Sequence, residues 1–293
     1  MFKRLFSRQK NASENVLDKF VVDDENLLLE DGEVPLTYWV VNPNFGDLLS
    51  PWLFTKLTGK PTKLISIGTK SPKTKRKQPT YIAVGSILSR VQDSSVVWGT
   101  GSFGTEQAAQ ISSKATYHAV RGPLTRSLVK NQGGECPAVY GDPALLAPLV
   151  HKPDVKVTHE IGVVLRWSET AWLKVKPGPG IKVIDLGTDD IEKVIDEMRA
   201  CKRIVTSSLH GLIIADAYGI PNAWLSSGTP KGGEFKFFDY FLSVDKVRYA
   251  KRYHVAKRGL TVEALLKGFT FDGRPIHFDA EKLLDACPFL KRK

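Results

Sequence analysis

The stretch from Arg203 to Trp224, RIVTSSLHGLIIADAYGIPNAW, leaves a chain few options. RIVT is a buried strand, LIIADAY is helical, Gly219–Ile220–Pro221 stops the helix, and NAW opens the next strand. Strand, helix and strand in that order form a β–α–β unit, which requires a parallel sheet with a crossover helix.

The same alternation runs along most of the chain. Strands are expected at Thr37–Val41, Leu64–Ile67, Tyr81–Val84, Val96–Trp98, His118–Val120, Val139–Tyr140, Ile161–Leu165, Lys182–Ile184, Arg203–Thr206 and Asn222–Trp224. Helices are expected at Asp47–Thr58, Thr105–Ser113, Gly122–Asn131, Asp190–Ala200, Leu212–Tyr218 and Thr261–Lys267. Many strands are continuous β-branched runs, the pattern of strands buried on both faces. The polar stretch HKPDVKVTH at His151–His159 interrupts the alternation. With 293 residues and 42% hydrophobic composition, the chain is long enough for two cores. The expected fold is α/β: two Rossmann-like domains, 1–155 and 156–293, facing each other across a cleft. The last helices are placed to pack back on the first domain. Loops at the strand carboxyl ends converge on such a cleft.

Composition narrows the function classes. Three scattered cysteines (Cys136, Cys201 and Cys287) give neither a disulfide framework nor metal-type spacing, which suits a reducing cytoplasm. MFKRLFSRQK lacks the apolar run of a signal peptide, and no window is apolar enough to span a membrane. The net charge of +11 suits an anionic partner, with one dense run at Lys73–Lys77 that also reads as a solvated loop. No RNA motif, zinc finger or basic recognition helix accompanies it, so nucleic acid is not the expected partner.

Several strand-to-helix turns carry candidate chemistry. GTGSFG at Gly99–Gly104 has dinucleotide-fingerprint spacing, but no Asp or Glu occurs between residues 107 and 134 to hold a ribose. It reads instead as a turn lining the cleft, with Gly101 and Ser102 offering N–H groups to an anion or an acceptor hydroxyl. In NPNFGD, Asn44 and Gly46 suit a tight turn and Asp47 a helix N-cap, and Asn44 and Asp47 can also orient a sugar hydroxyl. In HAVRGPLT, Arg121 stands where a strand ends and a helix begins, suited to a phosphate or carboxylate, or to an ion pair with an acid such as Asp142. His118 points to the opposite face of that strand and is a weaker, acceptor-side candidate. Asp142 in GDPALL reads as a helix cap. In SSLHG, Ser207, Ser208, Gly211 and His210 meet at one helix N-terminus, where a neutral His210 can act as base or donor.

Taken in order, NFGD, VGS, GTG, VRGPLT, GDPALL and SSLHGLIIADAYGIP resemble the polysaccharide pyruvyl transferase family over roughly residues 36–243, and EFKFFDYF is similar to a segment of its exopolysaccharide ketalase branch. The resemblance implies a GT-B-like two-domain fold. It also implies transfer of an enolpyruvyl unit from phosphoenolpyruvate, as co-substrate, to two sugar hydroxyls, with no metal or other cofactor. It implies that Arg121 and His210 serve the donor and the proton transfer. The family commonly has Arg two residues before the histidine, where this chain has Ser208; Lys236 is the expected replacement, with Ser207 and Ser208 as hydroxyl donors. The implied acceptor is a lipid-linked oligosaccharide in bacterial-type surface-glycan synthesis. Phe2, Leu5 and Phe6 in the basic N-terminus suit peripheral docking on the inner membrane face. A GT-B nucleotide-sugar glycosyltransferase and a non-catalytic basic binding module remain open as alternatives.

Overall fold

Short buried strands and the helices between them build two parallel sheets. The computed structural model describes residues 15–40, 43–65, 77–166, 169–226 and 233–293. The first half contains β1 (Phe20–Val22), β2 (Val34–Leu36), α1 (Phe45–Thr58), β3 (Thr62–Leu64), β4 (Thr80–Ile82), β5 (Ser95–Trp98), β6 (Thr116–Ala119), α2 (Pro123–Asn131) and α3 (Ala147–Val150). The second contains β7 (Ile161–Leu165), α4 (Thr170–Leu173), β8 (Ile181–Asp185), α5 (Ile191–Arg199), β9 (Ile204–Thr206), α6 (Leu209–Ala217), β10 (Asn222–Trp224) and α7 (Phe235–Ser243). The chain ends in α8 (Val255–Arg258), α9 (Val262–Gly268), α10 (Ala280–Asp285) and β11 (Leu290–Arg292).

The first sheet has the order β3-β2-β4-β5-β6 and the second β10-β9-β7-β8, with all pairs parallel. In both sheets the second strand in sequence lies outside the first, and the third pairs on the first strand's other side. The strand order therefore reverses between β2 and β4, and again between β7 and β9. Ligands of open α/β sheets bind outside the carboxyl ends of the strands at such a reversal, because the loops diverge there and leave a crevice.

Hydrophobic packing joins the two sheets. One buried cluster contains Phe45, Leu49, Val84, Leu145 and Ala147 from the first half and Val164, Ile184, Ile195, Leu212, Trp224 and Phe237 from the second. The Phe45 N–H also donates to Leu186 O at the end of β8 (2.9 Å). A second cluster takes Leu53, Phe54, Tyr81 and Trp98 from the first sheet and covers them with Leu283, Leu284, Phe289 and Leu290 from the C-terminal segment. β11 then pairs antiparallel with β1.

Some expected elements differ. The expected strand Thr37–Val41 is replaced by β2 at Val34–Leu36: Val34 and Leu36 are fully buried, whereas Trp39 and Val40 have left the sheet and are exposed. Val139–Tyr140 contributes only one bridge, from Tyr140 to Val120. The helix expected at Thr105–Ser113 is a single 3-10 turn at Ala108–Gln110. There the Glu106 carboxylate turns back to accept from the N–H groups of Phe103 and Gly104 (both 3.0 Å), which ties the segment into a loop. Phe2, Leu5, Phe6 and residues 73–76 of the basic run lie outside the described residues.

Candidate active site

Both strand-order reversals deliver polar side chains to one crevice. At the first, Asn44 caps α1 by accepting from the Gly46 N–H (3.0 Å), which fixes Asp47 in the opening turn. The turns after β4, β5 and β6 are tied together: Gly101 N–H and Thr100 Oγ1 donate to Gly85 O (both 2.9 Å), and Arg121 N–H donates to Thr100 O (3.1 Å). At the second, Arg166 follows β7 directly, and its N–H donates to Ser207 Oγ (3.1 Å). Ser208 caps α6 by accepting from Gly211 N–H (3.4 Å), and His210 is the second residue of that helix.

Helix α7 closes the crevice. Its Asp239 is fully buried and forms an ion pair with the equally buried Arg121 (Nε to Oδ2, 3.0 Å). Asp239 also accepts from the Thr125 N–H (2.9 Å) and hydroxyl (2.6 Å), at the start of α2. The remaining Arg121 bonds go to Ser86 Oγ (2.6 Å) and Ser102 O (2.7 Å). Arg121 is therefore an internal strut whose partner is Asp239, so the ion pair that the sequence allowed as an alternative to anion binding is made with Asp239 and not with Asp142. Gly101 and Gly122 are required by this joint. A Cβ at Gly101 would lie 2.1 Å from the Arg121 guanidinium carbon, and one at Gly122 would lie 2.0 Å from Asp239 O.

One turn before Asp239, Lys236 faces the crevice with its ammonium over the Phe103 ring (5.4 Å) and the Phe237 ring (5.3 Å). Burial pushes Lys236 down to about 7, the positive charges of Arg166 and Arg121 add to this, and Asp47 opposes it. Burial pushes the Asp47 carboxyl up to about 6 against the pull of His210 and Lys236. Lys236, Asp47, His210 and Arg166 thus form one electrostatic group. His210 stands on its α1 side: a Cβ at Gly46 would lie 2.2 Å from Nδ1. Its Nε2 lies 3.8 Å from Asp142 Oδ2.

The family model for polysaccharide pyruvyl transferases matches residues 40–229. The chain belongs to this family. The matched span holds Asp47, Arg121, Asp142, Arg166 and His210, and ends shortly before Lys236. The succinoglycan biosynthesis protein ExoV of Rhizobium meliloti (strain 1021) is 27% identical over 248 residues, 80% of this chain and 72% of that protein. An uncharacterised protein of Acanthamoeba polyphaga mimivirus is 27% identical over 253 residues, 82% of this chain and 85% of its own length. A functionally uncharacterised Klebsiella pneumoniae protein of known crystal structure superposes with a TM-score of 0.42 at 10% identity, covering 76% of this chain and 93% of that one.

For a member of this family the structure sorts the sequence candidates into three groups. Asn44, Asp47, Ser208, His210, Gly211 and Lys236 gather at the crevice. Gly211 is needed because a Cβ would lie 2.3 Å from Thr206 Oγ1, so α6 starts in direct contact with β9. Ser207, Gly101 and Ser102 are interior. The Gly101 and Ser102 N–H groups go to Gly85 O and Thr125 Oγ1, which leaves neither for an acceptor hydroxyl. His118 stands apart: it lines a separate groove of about 460 Å³ with Asp23, Tyr81 and Asp285, and burial lowers its pKa. The sequence reading missed Arg166 and Asp239. Arg166 carried a signal, since a cation directly after the buried run IGVVL falls at a strand carboxyl end. Among the described residues no group of three or more His, Cys, Asp or Glu side chains could hold a metal, and no helix is long and apolar enough to cross a membrane.

Proposed function

We propose that the chain moves the enolpyruvyl unit of phosphoenolpyruvate onto two hydroxyls of a sugar and closes a cyclic pyruvate ketal. The observation that carries this reading is the gathering of Lys236 and Arg166 at one crevice with Asp47 and His210, where burial and the neighbouring charges of Arg166 and Arg121 lower the lysine's pKa to about 7. A phosphate and a carboxylate entering there restore the lysine's charge and offset the repulsion among the cations. Phosphoenolpyruvate brings both groups on a three-carbon unit, and the protein's own cations balance it as co-substrate.

In this mechanism the methylene carbon takes up a proton, leaving an oxocarbenium-like centre that the first hydroxyl attacks. Phosphate leaves with the C–O bond, and the second hydroxyl closes the ring. Of the two hydroxyl protons, one ends on the new methyl group and the other on phosphate. His210 handles the proton exchange. Lys236 and Arg166 hold the donor, with the Ser208 hydroxyl at its edge. Arg121 acts at one remove, through its field and its hold on α7. Asn44 and Asp47 face the acceptor, which we take to be a lipid-linked oligosaccharide at the inner face of the membrane. The two sheets with their reversals turned to one crevice are, on this reading, a GT-B-like arrangement.

The test is phosphate release from phosphoenolpyruvate with a pyranoside acceptor. His210→Ala and Lys236→Ala, each with an unchanged circular-dichroism spectrum, are expected to lose about 100-fold or more of the rate. Near-full release by His210→Ala ends the proposal. So does a thermal stabilisation seen with nucleotide sugars and absent with phosphoenolpyruvate.

A further inference from the structure

His210 Nε2 and Asp142 Oδ2 are both buried, neither has a hydrogen-bond partner, and they face each other across 3.8 Å. Two orphaned polar atoms in one place are costly unless they serve each other. The gap is under an ångström longer than a hydrogen bond, and catalytic hydrogen bonds are often long before substrate arrives. Asp142 cannot turn away: it is fully buried, and its Oδ1 accepts from the Ala144 N–H (3.1 Å) as the cap of the 3-10 turn Pro143–Leu146. The next residue, Pro143, packs against Gly99, where a Cβ would lie 2.2 Å from the proline ring. On the other side of the imidazole, Gly46 leaves no room for a side chain beside Nδ1.

We propose that Asp142 is the positioning residue of His210: its Oδ2 accepts the Nε2–H, fixes the imidazole in that tautomer and leaves Nδ1 as the nitrogen that exchanges a proton with substrate. The inference rests on the proton role proposed above for His210. Asp142 touches no substrate. It selects the tautomer and steadies the imidazolium that forms when Nδ1 is protonated.

Asparagine at this position makes a sharp test. In Asp142→Asn the side-chain oxygen keeps the cap on Ala144 and turns the amide NH₂ toward Nε2, which must then accept. The proton moves to Nδ1, and the working nitrogen is blocked. The first measurement is the ¹⁵N chemical-shift pattern of His210 in the full-length protein, which separates the two tautomers without substrate. Wild type is expected to carry the proton on Nε2, and Asp142→Asn on Nδ1. A wild-type imidazole with the proton on Nδ1 overturns the proposal, whether or not any variant folds. The second measurement is phosphate release. Asp142→Asn is expected to lower kcat about 100-fold or more with little change in KM for phosphoenolpyruvate, and His210→Ala combined with it to be no slower than His210→Ala alone. An unchanged kcat also overturns it. An inverted tautomer in a protein that ignores phosphoenolpyruvate supports the Asp142–His210 pairing and rejects the donor reading. Gly46→Ala is an independent probe from the Nδ1 side. Its Cβ displaces the ring, and a comparable loss of kcat in a protein with an unchanged circular-dichroism spectrum is expected.

Discussion

Lys236 and Asp47 are held near neutrality by burial, and each gives a pH dependence with a definite sign. The Asp47 carboxyl keeps its proton to about 6 when folded, against 3.8 for the ordinary group. Between those values the folded state holds a proton that the unfolded state has released. Stability therefore falls as pH rises through that window, and the cost is complete above about 6. Asp47→Asn should raise the Tm at pH 7.5 and leave it unchanged near pH 3.5, as measured by calorimetry. Lys236 discharges at about 7 when folded, against 10.5 ordinarily. Phosphoenolpyruvate affinity should fall as pH rises through 7, since the bound anion needs the charged lysine. Lys236→Arg keeps its charge throughout, so its KM for phosphoenolpyruvate should change far less than wild type between pH 6 and 9. Asp47 and Lys236 were both readable from sequence as candidates, but their titration was not. It depends on how much water the facing half excludes.

At the scale of elements, α7 is the joint of the site. It carries Lys236 into the crevice and, one turn later, anchors itself through Asp239 to Arg121 and the N-terminus of α2. Removing one member of a fully buried ion pair leaves the other charge unpaired. Asp239→Ala should therefore lower the unfolding free energy by about 3–5 kcal/mol in urea titrations. A loss below about 1 kcal/mol means the strut is not closed in solution. Ser208 stands where the family commonly has arginine, and here it has a local task as the cap of α6. Ser208→Ala should cost about 1 kcal/mol by the same measurement. The helix start at Gly122 was legible because glycine and proline act over a few residues, whereas α1 and α6 begin before the expected Asp47 and Leu212, with Asn44 and Ser208 as their caps. The strand edge near Thr37 was not: TYWVV has a strong strand composition, but the buried run that pairs with β4 is the less obvious VPL.

At the scale of the whole molecule, the last residues complete the first half. Phe289 is fully buried and packs its ring against Phe54 (4.8 Å), Tyr81 (5.4 Å) and Trp98 (5.7 Å), while the Trp98 indole donates to Leu283 O (2.9 Å). Phe289→Ala should cost about 3–5 kcal/mol by opening a cavity under the first sheet, among Phe54, Tyr81 and Trp98. Its kcat below the melting transition should be close to wild type, which separates a stability defect from a catalytic one. The sequence by itself determined that this chain forms parallel β–α units, where α1, α2, α5, α6 and α9 lie to within about a turn, and which turns carry Asp47, Arg121 and His210. Those features follow from periodicity and capping, which act within one element. Only the tertiary structure decided that Arg121 is spent on Asp239, that Arg166 joins Lys236, that His118 faces a different groove, and that Asp142 looks at His210. Each of those facts is a contact between residues distant in the chain. Local sequence sets which face of an element a side chain occupies; what stands opposite that face is set by how the two sheets pack.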